Sequence, residues 1–193
     1  MNGIELIFDF FEDHVRAAAQ IQERRPLALG VLCFMLGGVS VFVAHAMTQH
    51  FAFLPFTWSA LGLWIFTYVL VGFMMTAVLH ILLDFAGSKG SAASLFVLLG
   101  MTSLAASLTI PLLLITRLLW SHSTWMTGTI FMAVWFLTLS LKSRSLQDTY
   151  QIGPGKAWAM LSVPYIAMVV GVIMAFFLAL VGVTLELVKA FHQ

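Results

Sequence analysis

The sequence predicts an all-α membrane protein with five transmembrane helices, preceded by a short amphipathic helix on the cytoplasmic side. Three observations predict this class. Hydrophobic residues make up 61% of the 193 residues and charged residues only 9%, whereas a soluble domain carries about 25% charged residues. Five apolar segments can each cross the hydrocarbon core of a bilayer, which takes about 20 residues in a helix. Lys and Arg fall mainly on one side of those segments.

The distribution of Lys and Arg predicts the orientation. Five crossings sort the connections into two sets, with seven of these cations in one set and two in the other. Because cytoplasmic connections are enriched in Lys and Arg, the N-terminus is predicted to be cytoplasmic and the C-terminus to lie outside. The first set comprises Arg16, Arg24, Arg25, Lys89, Lys142, Arg144 and Lys156, and the second comprises Arg117 and Lys189.

Residues 4–23 are predicted to form one amphipathic helix within a cytoplasmic segment, residues 1–25. Apolar residues recur every three or four positions from Ile4 to Ala18, and mainly acidic residues line the other face. A helix that binds lipid headgroups is usually basic. The acidic face therefore favours docking on a protein surface. Docking on the chain itself, lying in the membrane interface and binding a partner all stay open.

Residues 26–193 are predicted to form one membrane domain, because the connections are too short to fold separately. Arg24 and Arg25 precede Pro26 at the cytoplasmic edge of the first span. Cys33 is the one cysteine, so an intrachain disulfide and a thiolate cluster are excluded. The predicted spans are residues 27–47, 56–83, 92–119, 126–141 and 157–185.

Small residues and prolines indicate how the spans pack. A stripe of small residues at four-residue spacing follows the fifth span, and such a stripe lets another helix backbone approach closely. The contact is predicted either within the bundle or in an oligomer. Pro111 and Pro164 lack an amide hydrogen and are predicted to kink the third and fifth spans. The stripe consists of Ala167, Gly171, Ala175 and Ala179.

Ionisable residues near the span ends form two predicted pairs. His80 and Asp84 are one helical turn apart, and Lys89 follows closely enough to neutralise Asp84. Arg117 and Glu186 are predicted at the same external face, where they would form an ion pair between helices. A structural role for these pairs is the simpler interpretation, and a proton or ion site is the more specific functional hypothesis.

The sequence contains no HExxH, GxSxG or Walker motif and no paired-aspartate motif of phospholipid synthases. No catalytic residue, cofactor or metal site is therefore predicted. His45, His50 and His122 fall towards the predicted outside without a carboxylate at ligand spacing. The turn at residues 153–156 lacks the strand, helix and hydroxyl context of a phosphate-binding loop. It is interpreted as a cap before the fifth span, with Lys156 at the lipid phosphates.

Two connections and the spans after them resemble the Yip1 family over residues 27–185. A Gly-rich loop with Lys and Ser, residues 86–91, is followed by a Gly and then a Pro in the third span. A Gly-Lys-Ala turn leads to a Pro in the fifth span. The residues that carry the resemblance are Gly87, Gly90, Ser91, Gly100, Pro111, Gly155, Lys156, Ala157 and Pro164.

The resemblance implies a compact five-helix membrane protein that is not an enzyme. Eukaryotic members of the family are linked to vesicle trafficking and Rab GTPases. They carry a long hydrophilic N-terminal region with an Asp-Leu-Tyr-Gly-Pro segment, which this sequence lacks. The chain looks more like the short prokaryotic members, which implies a bacterial inner membrane and a role in membrane organisation or partner assembly.

Three functions follow as hypotheses. The first is a non-catalytic scaffold whose partners are membrane lipids and a second copy or another protein, with no nucleic acid. The second is a small transporter or channel for an ion or amphiphile that uses His80 with Asp84 and Arg117 with Glu186. The third is an accessory subunit that docks on a larger complex through residues 4–23.

Overall fold

The computed structural model of the chain describes residues 3–48, 57–119 and 124–191, with side chains described through residue 184. These residues form α-helices joined by short connections, with one 3-10 segment and no strand among them. The helices are α1 (Gly3–Glu12), α2 (His14–Arg24), α3 (Leu27–Thr48), α4 (Trp58–Phe85), α5 (Ala92–Ser103), α6 (Thr109–Leu119), α7 (Thr124–Tyr150) and α8 (Pro154–Phe191).

The N-terminal segment is a pair of helices, so the prediction of one continuous helix over residues 4–23 is wrong. The break falls at Asp13, whose carboxylate accepts a hydrogen bond from the Arg16 amide at 3.2 Å. An Asp side chain in this position caps a new helix by satisfying an amide that has no partner within the helix. Arg25 ends α2 in the left-handed region, with φ 47°. We call α1 and α2 together the N-terminal hairpin.

Five helical segments in the described residues are long and apolar enough to cross a membrane, which confirms the predicted fold class. They are α3, α4, the α5–α6 segment, α7 and the part of α8 up to Thr184. The helix of the fourth span, α7, extends to Tyr150, well past the predicted end at Leu141. Its last turns stay helical because one face, including Ser143, Leu146 and Tyr150, is buried against its neighbours.

The third span is interrupted near Pro111. A 3-10 segment, Leu104–Leu108, separates α5 from α6. Pro111 has no amide hydrogen to bond to a carbonyl of the preceding turn, so the regular α-helical ladder cannot run through this point. By contrast, α8 continues as one helix through Pro164.

The centre of the bundle is α5, which packs against α3, α4 and α7. All of residues 94–103 are buried. A Cβ atom at Gly100 would lie 2.5 Å from the carbonyl oxygen of Gly30, so the α3 and α5 backbones touch at a point where a side chain cannot fit. Close approach through glycine is a common way for membrane helices to pack.

The N-terminal hairpin packs on this centre. Leu6, Phe10 and Ile21 share one buried cluster with Val97 and Met101 of α5. A second apolar face of the hairpin stays exposed, and it comprises Ile4, Phe8, Phe11 and Val15. The hairpin therefore docks on its own chain through one face and presents another apolar face outward.

The second half of α8 has no buried residue among those whose side chains are described. Every residue from 166 to 184 is exposed at the protein surface. Only the first turns of α8 join the bundle, where Ala157 and Leu161 are buried. Of the five spans in the described residues, α8 is therefore the least buried.

Candidate functional site

Polar side chains concentrate at one end of the bundle, which we call the hairpin end. It is formed by the N-terminal hairpin, the connection at residues 86–91 and the connection at residues 151–153. The following contacts place the sequence-predicted residues within it.

The two connections that carry the family resemblance are joined by Lys156. Its Nζ donates hydrogen bonds to the Ser88 Oγ at 2.9 Å and to the Ala86 carbonyl at 3.2 Å. Gly87 turns the chain here with φ 74°, a conformation that favours glycine. Lys156 was predicted to lie at the lipid phosphates. Its side chain is exposed and also reaches the neighbouring loop, and the phosphate contact stays a prediction.

Several other residues of the motif lie where helices or loops touch. A Cβ at Gly90 would lie 2.5 Å from the Tyr150 ring, and the Gly100 contact with Gly30 is equally close. Ala157 is fully buried at the start of α8. Ser91 caps α5 by accepting a hydrogen bond from the Ser94 amide at 3.4 Å. Gly155, in contrast, would have no atom within 4 Å of a Cβ.

The predicted pairing of His80 with Asp84 is replaced by a different contact. The Nδ1 atom of His80 lies 2.5 Å from the Tyr150 hydroxyl, which comes from α7. Asp84 and Lys89 are both exposed and form no ion pair with each other. The phenol of Tyr150 reaches the imidazole because Gly90 leaves room for its ring.

A buried polar cluster that the sequence did not predict fastens the hairpin to α7. His14 places its Nδ1 2.5 Å from the Asp148 Oδ2 and its Nε2 3.4 Å from the Ser145 Oγ. The Gln22 side chain donates to the Asp148 carbonyl at 3.2 Å. We call His14, Gln22, Ser145 and Asp148 the hairpin latch.

Within the latch, burial has the largest effect on the pKa of His14. Burial lowers the pKa of His14, while the hydrogen bond and the charge of Asp148 act in the opposite direction. Arg144 adds a smaller lowering effect on the same pKa. The sequence held one signal for this residue, because His14 lies one turn from Phe10 and one turn from Ala18 on the apolar face of the hairpin.

The order Ser145–His14–Asp148 follows that of a hydrolase triad, but the surroundings favour a structural role. In a triad the serine hydroxyl must reach a substrate carbonyl. Ser145 has 0% exposure, and its hydroxyl donates to the Leu141 carbonyl at 2.9 Å. A substrate cannot approach a serine that is enclosed in this way, so the cluster serves to hold the hairpin.

Arg117 and His45, two further polar residues singled out from the sequence, lie towards the opposite end of the bundle. The Arg117 guanidinium donates to the Met47 carbonyl, whereas its predicted partner Glu186 lies outside the described side chains. His45 stacks on Phe131 with ring centroids 4.8 Å apart. His50 and His122 lie outside the described residues. Within the described ranges, no group of three or more His, Cys, Asp or Glu side chains could hold a metal.

The small-residue stripe of α8 lies in the exposed part of that helix. Ala167, Gly171, Ala175 and Ala179 are all exposed. A Cβ at Gly171 would meet nothing within 4 Å. The stripe therefore does not mediate packing within the chain, and the oligomer contact stays a prediction.

No protein-family model, curated protein or solved structure matches this chain. The resemblance to the Yip1 family rests on the motif residues described above.

Proposed function

We propose that this chain is a non-catalytic, Yip1-like integral membrane protein that self-associates through α8 and thereby organises its membrane. The observation that carries the proposal is the exposure of α8 over residues 166–184. We further propose that the hairpin end faces the cytoplasm of a bacterial cell and that the membrane is its inner membrane, in keeping with the distribution of Lys and Arg.

The composition of α8 supports a contact with another membrane helix. Lipid chains are as apolar as leucine, so membrane helices associate mainly through close packing and hydrogen bonds. Close packing needs small residues along one side, which Ala167, Gly171, Ala175 and Ala179 supply. The other sides carry larger apolar side chains that suit lipid, including Met168, Val172 and Phe176.

A second copy of α8 is the partner that this surface fits best. A twofold interface uses the same patch on both subunits, so the patch must be complementary to itself. A stripe of small residues meets this requirement, because two such stripes allow both backbones to approach. No charged residue lies between residues 157 and 184, so nothing in this stretch would select an oppositely charged partner helix.

The two alternative functions have less support. A transporter built on His80 and Asp84 would need these side chains to act together, whereas His80 bonds to Tyr150 and Asp84 is exposed. An accessory subunit that docks through residues 4–23 would have to use the outer face of the hairpin, because its inner face is already covered by α5 and α7.

Energy transfer between fluorescently labelled copies in vesicles tests the proposal. Gly171→Leu places bulk in the stripe and is expected to abolish most of the transfer seen with the wild type. Val169→Leu adds bulk on the opposite side of α8 and is expected to leave the transfer unchanged. The melting temperature should be the same in both variants, because Val169 is exposed and a Cβ at Gly171 would meet nothing within 4 Å.

A wild-type protein that shows no transfer beyond random proximity would contradict the proposal. So would a Gly171→Leu variant that associates as well as the wild type.

A further inference from the structure

An apolar groove opens between α3, α4 and α5 at the hairpin end. Its volume is about 570 Å³, within the range of about 300–1,000 Å³ that is typical of small-molecule sites. The groove opens to the outside of the bundle, where the bilayer would lie. Its apolar wall includes Leu27, Val31, Phe73, Ala77, Ile81 and Phe96.

The length of the groove matches one leaflet of a bilayer. Phe73 and Ile81 are eight positions apart on α4, which corresponds to about 12 Å along a helix. Half of the hydrocarbon core measures about 15 Å. The groove also begins at the first turns of α3 and α5, with Leu27 and Ala92. It therefore runs from the end of the bundle towards its middle.

Two polar side chains interrupt this apolar wall. The Thr76 hydroxyl is satisfied, because it donates to the Gly72 carbonyl at 2.8 Å. His80 uses its Nδ1 for the contact with Tyr150. Its Nε2 has no hydrogen-bond partner in the described part of the chain. The groove thus offers one unused hydrogen-bonding atom about one turn from the end of α4.

Cationic residues lie at the hairpin end, close in sequence to Leu27 and Ala92, where the groove begins. Arg24 and Arg25 come directly before α3, and Lys89 comes directly before α5. All three are exposed, as are the nearby carboxylates of Glu23 and Asp84. Among these five side chains the cations outnumber the carboxylates by three to two, which complements a phosphate group.

We propose that the groove binds one glycerophospholipid from the leaflet on the hairpin side. An acyl chain lies along α4, an ester carbonyl accepts a hydrogen bond from His80, and the phosphate lies near Arg24, Arg25 and Lys89. The phosphate is common to anionic and zwitterionic phospholipids, so the site is defined by that group and by the acyl chain. This binding is separate from the contact proposed for α8.

Native mass spectrometry of the full chain released from vesicles of phosphatidylglycerol and phosphatidylethanolamine tests this proposal. The wild type is expected to retain one phospholipid. Ala77→Trp fills the groove and is expected to lose that lipid. The matched control is Val78→Trp, which adds the same bulk to an exposed neighbouring position and is expected to keep it.

A second pair of changes avoids the packed wall. Arg24→Gln with Lys89→Gln alters exposed side chains only and is expected to reduce lipid retention at least tenfold, with no change in melting temperature. Preference for phosphatidylglycerol would show an anionic headgroup, and equal retention of both lipids would show that the phosphate and the chain suffice. Either result supports the site.

Two results would overturn the proposal. One is a wild type that carries no lipid when released. The other is equal lipid retention by the wild type, by a folded Ala77→Trp variant and by the variant that combines Arg24→Gln with Lys89→Gln. Gly171→Leu should leave lipid retention unchanged, so failure of the groove and failure of the α8 contact give different results.

Discussion

The helices α5 and α8 are both strongly apolar, yet α5 is enclosed by protein and most of α8 is exposed at the protein surface. The span that contains α5 has a mean hydropathy of 2.0 in its most apolar window, and 56% of that window is buried. The corresponding window of α8 has a higher mean hydropathy, 2.9, and 0% of it is buried. In this protein the most apolar helix is therefore the least buried one.

The side chains of the two helices explain this order. On α5, Gly100 brings a backbone into contact, and the Ser103 hydroxyl donates to the Cys33 carbonyl of α3 at 2.9 Å. Such groups need protein neighbours, because the hydrocarbon chains of lipid offer no hydrogen-bond partner. On α8, aliphatic and aromatic side chains fit lipid on every side except along the small-residue stripe. In this pair of helices, the small and hydroxyl residues of α5 thus make contacts with protein, and the large apolar side chains of α8 form an exposed surface.

The largest effect is expected from a methyl group at the α3–α5 contact. Gly100→Ala would place a Cβ 2.5 Å from the Gly30 carbonyl oxygen, and a backbone atom cannot move aside as a side chain can. We expect the free energy of unfolding to fall by about 1–3 kcal/mol, measured by denaturant unfolding in detergent micelles.

The matched control for this change is Gly171→Ala, whose Cβ would meet nothing within 4 Å. It should leave stability unchanged or raise it by up to about 1 kcal/mol, because alanine favours a helix more than glycine does. Equal losses in both variants would contradict the contrast between α5 and α8.

The next largest effect is expected at the hairpin latch. Asp148→Ala removes the partner of the buried His14 and should weaken docking of the hairpin by about 1–3 kcal/mol. Hydrogen exchange of the α1 and α2 amides measures this, and exchange in the centre of α5 should change little. Asp84→Ala, at an exposed carboxylate, serves as the control. Unchanged protection of the hairpin in Asp148→Ala would show that the apolar contacts alone hold it.

A smaller effect is expected where Lys156 joins the two connections. Lys156→Met keeps most of the side-chain length but removes the hydrogen bonds to Ser88 and Ala86, and it should cost about 0.5–1.5 kcal/mol. Amide exchange over residues 86–91 should become faster. Lys89→Met in the same connection should have no such effect, and similar exchange in the two variants would contradict the role given to Lys156.

The smallest effect is expected from pH, because Asp148 opposes the influence of burial on His14. The pKa of His14 is lowered in the folded protein, so the unfolded chain takes up a proton first as pH falls. The stabilising contribution is fully present above the ordinary pKa of about 6.5 and is lost as pH falls through the lowered value. Hairpin protection should decrease in that range. His14→Gln should remove this dependence, and protection that rises on acidification would contradict the assignment.

The sequence predicted the fold class well, because five apolar segments and an amphipathic periodicity are local features. Contacts between residues that are far apart in the sequence were harder to predict. His14 and Asp148 are 134 positions apart, and spacing gives no indication of such a pair. His80 has Asp84 one turn away, which suggested a local pair, but the hydroxyl of Tyr150, the last residue of α7, forms the contact with His80. The break at Asp13 follows from a capping residue within an otherwise continuous amphipathic pattern.

Oxidative cross-linking of single cysteines along α8, in vesicles and in a Cys33→Ala background, tests the central claim most directly. We expect disulfide-linked dimers for cysteines at positions 167, 171, 175 and 179, which lie on the stripe. Far fewer dimers are expected for cysteines at positions 169 and 173. Cross-linking that is absent at every position, or equally efficient all round the helix, would contradict the proposal that the small-residue stripe of α8 joins two copies of this protein.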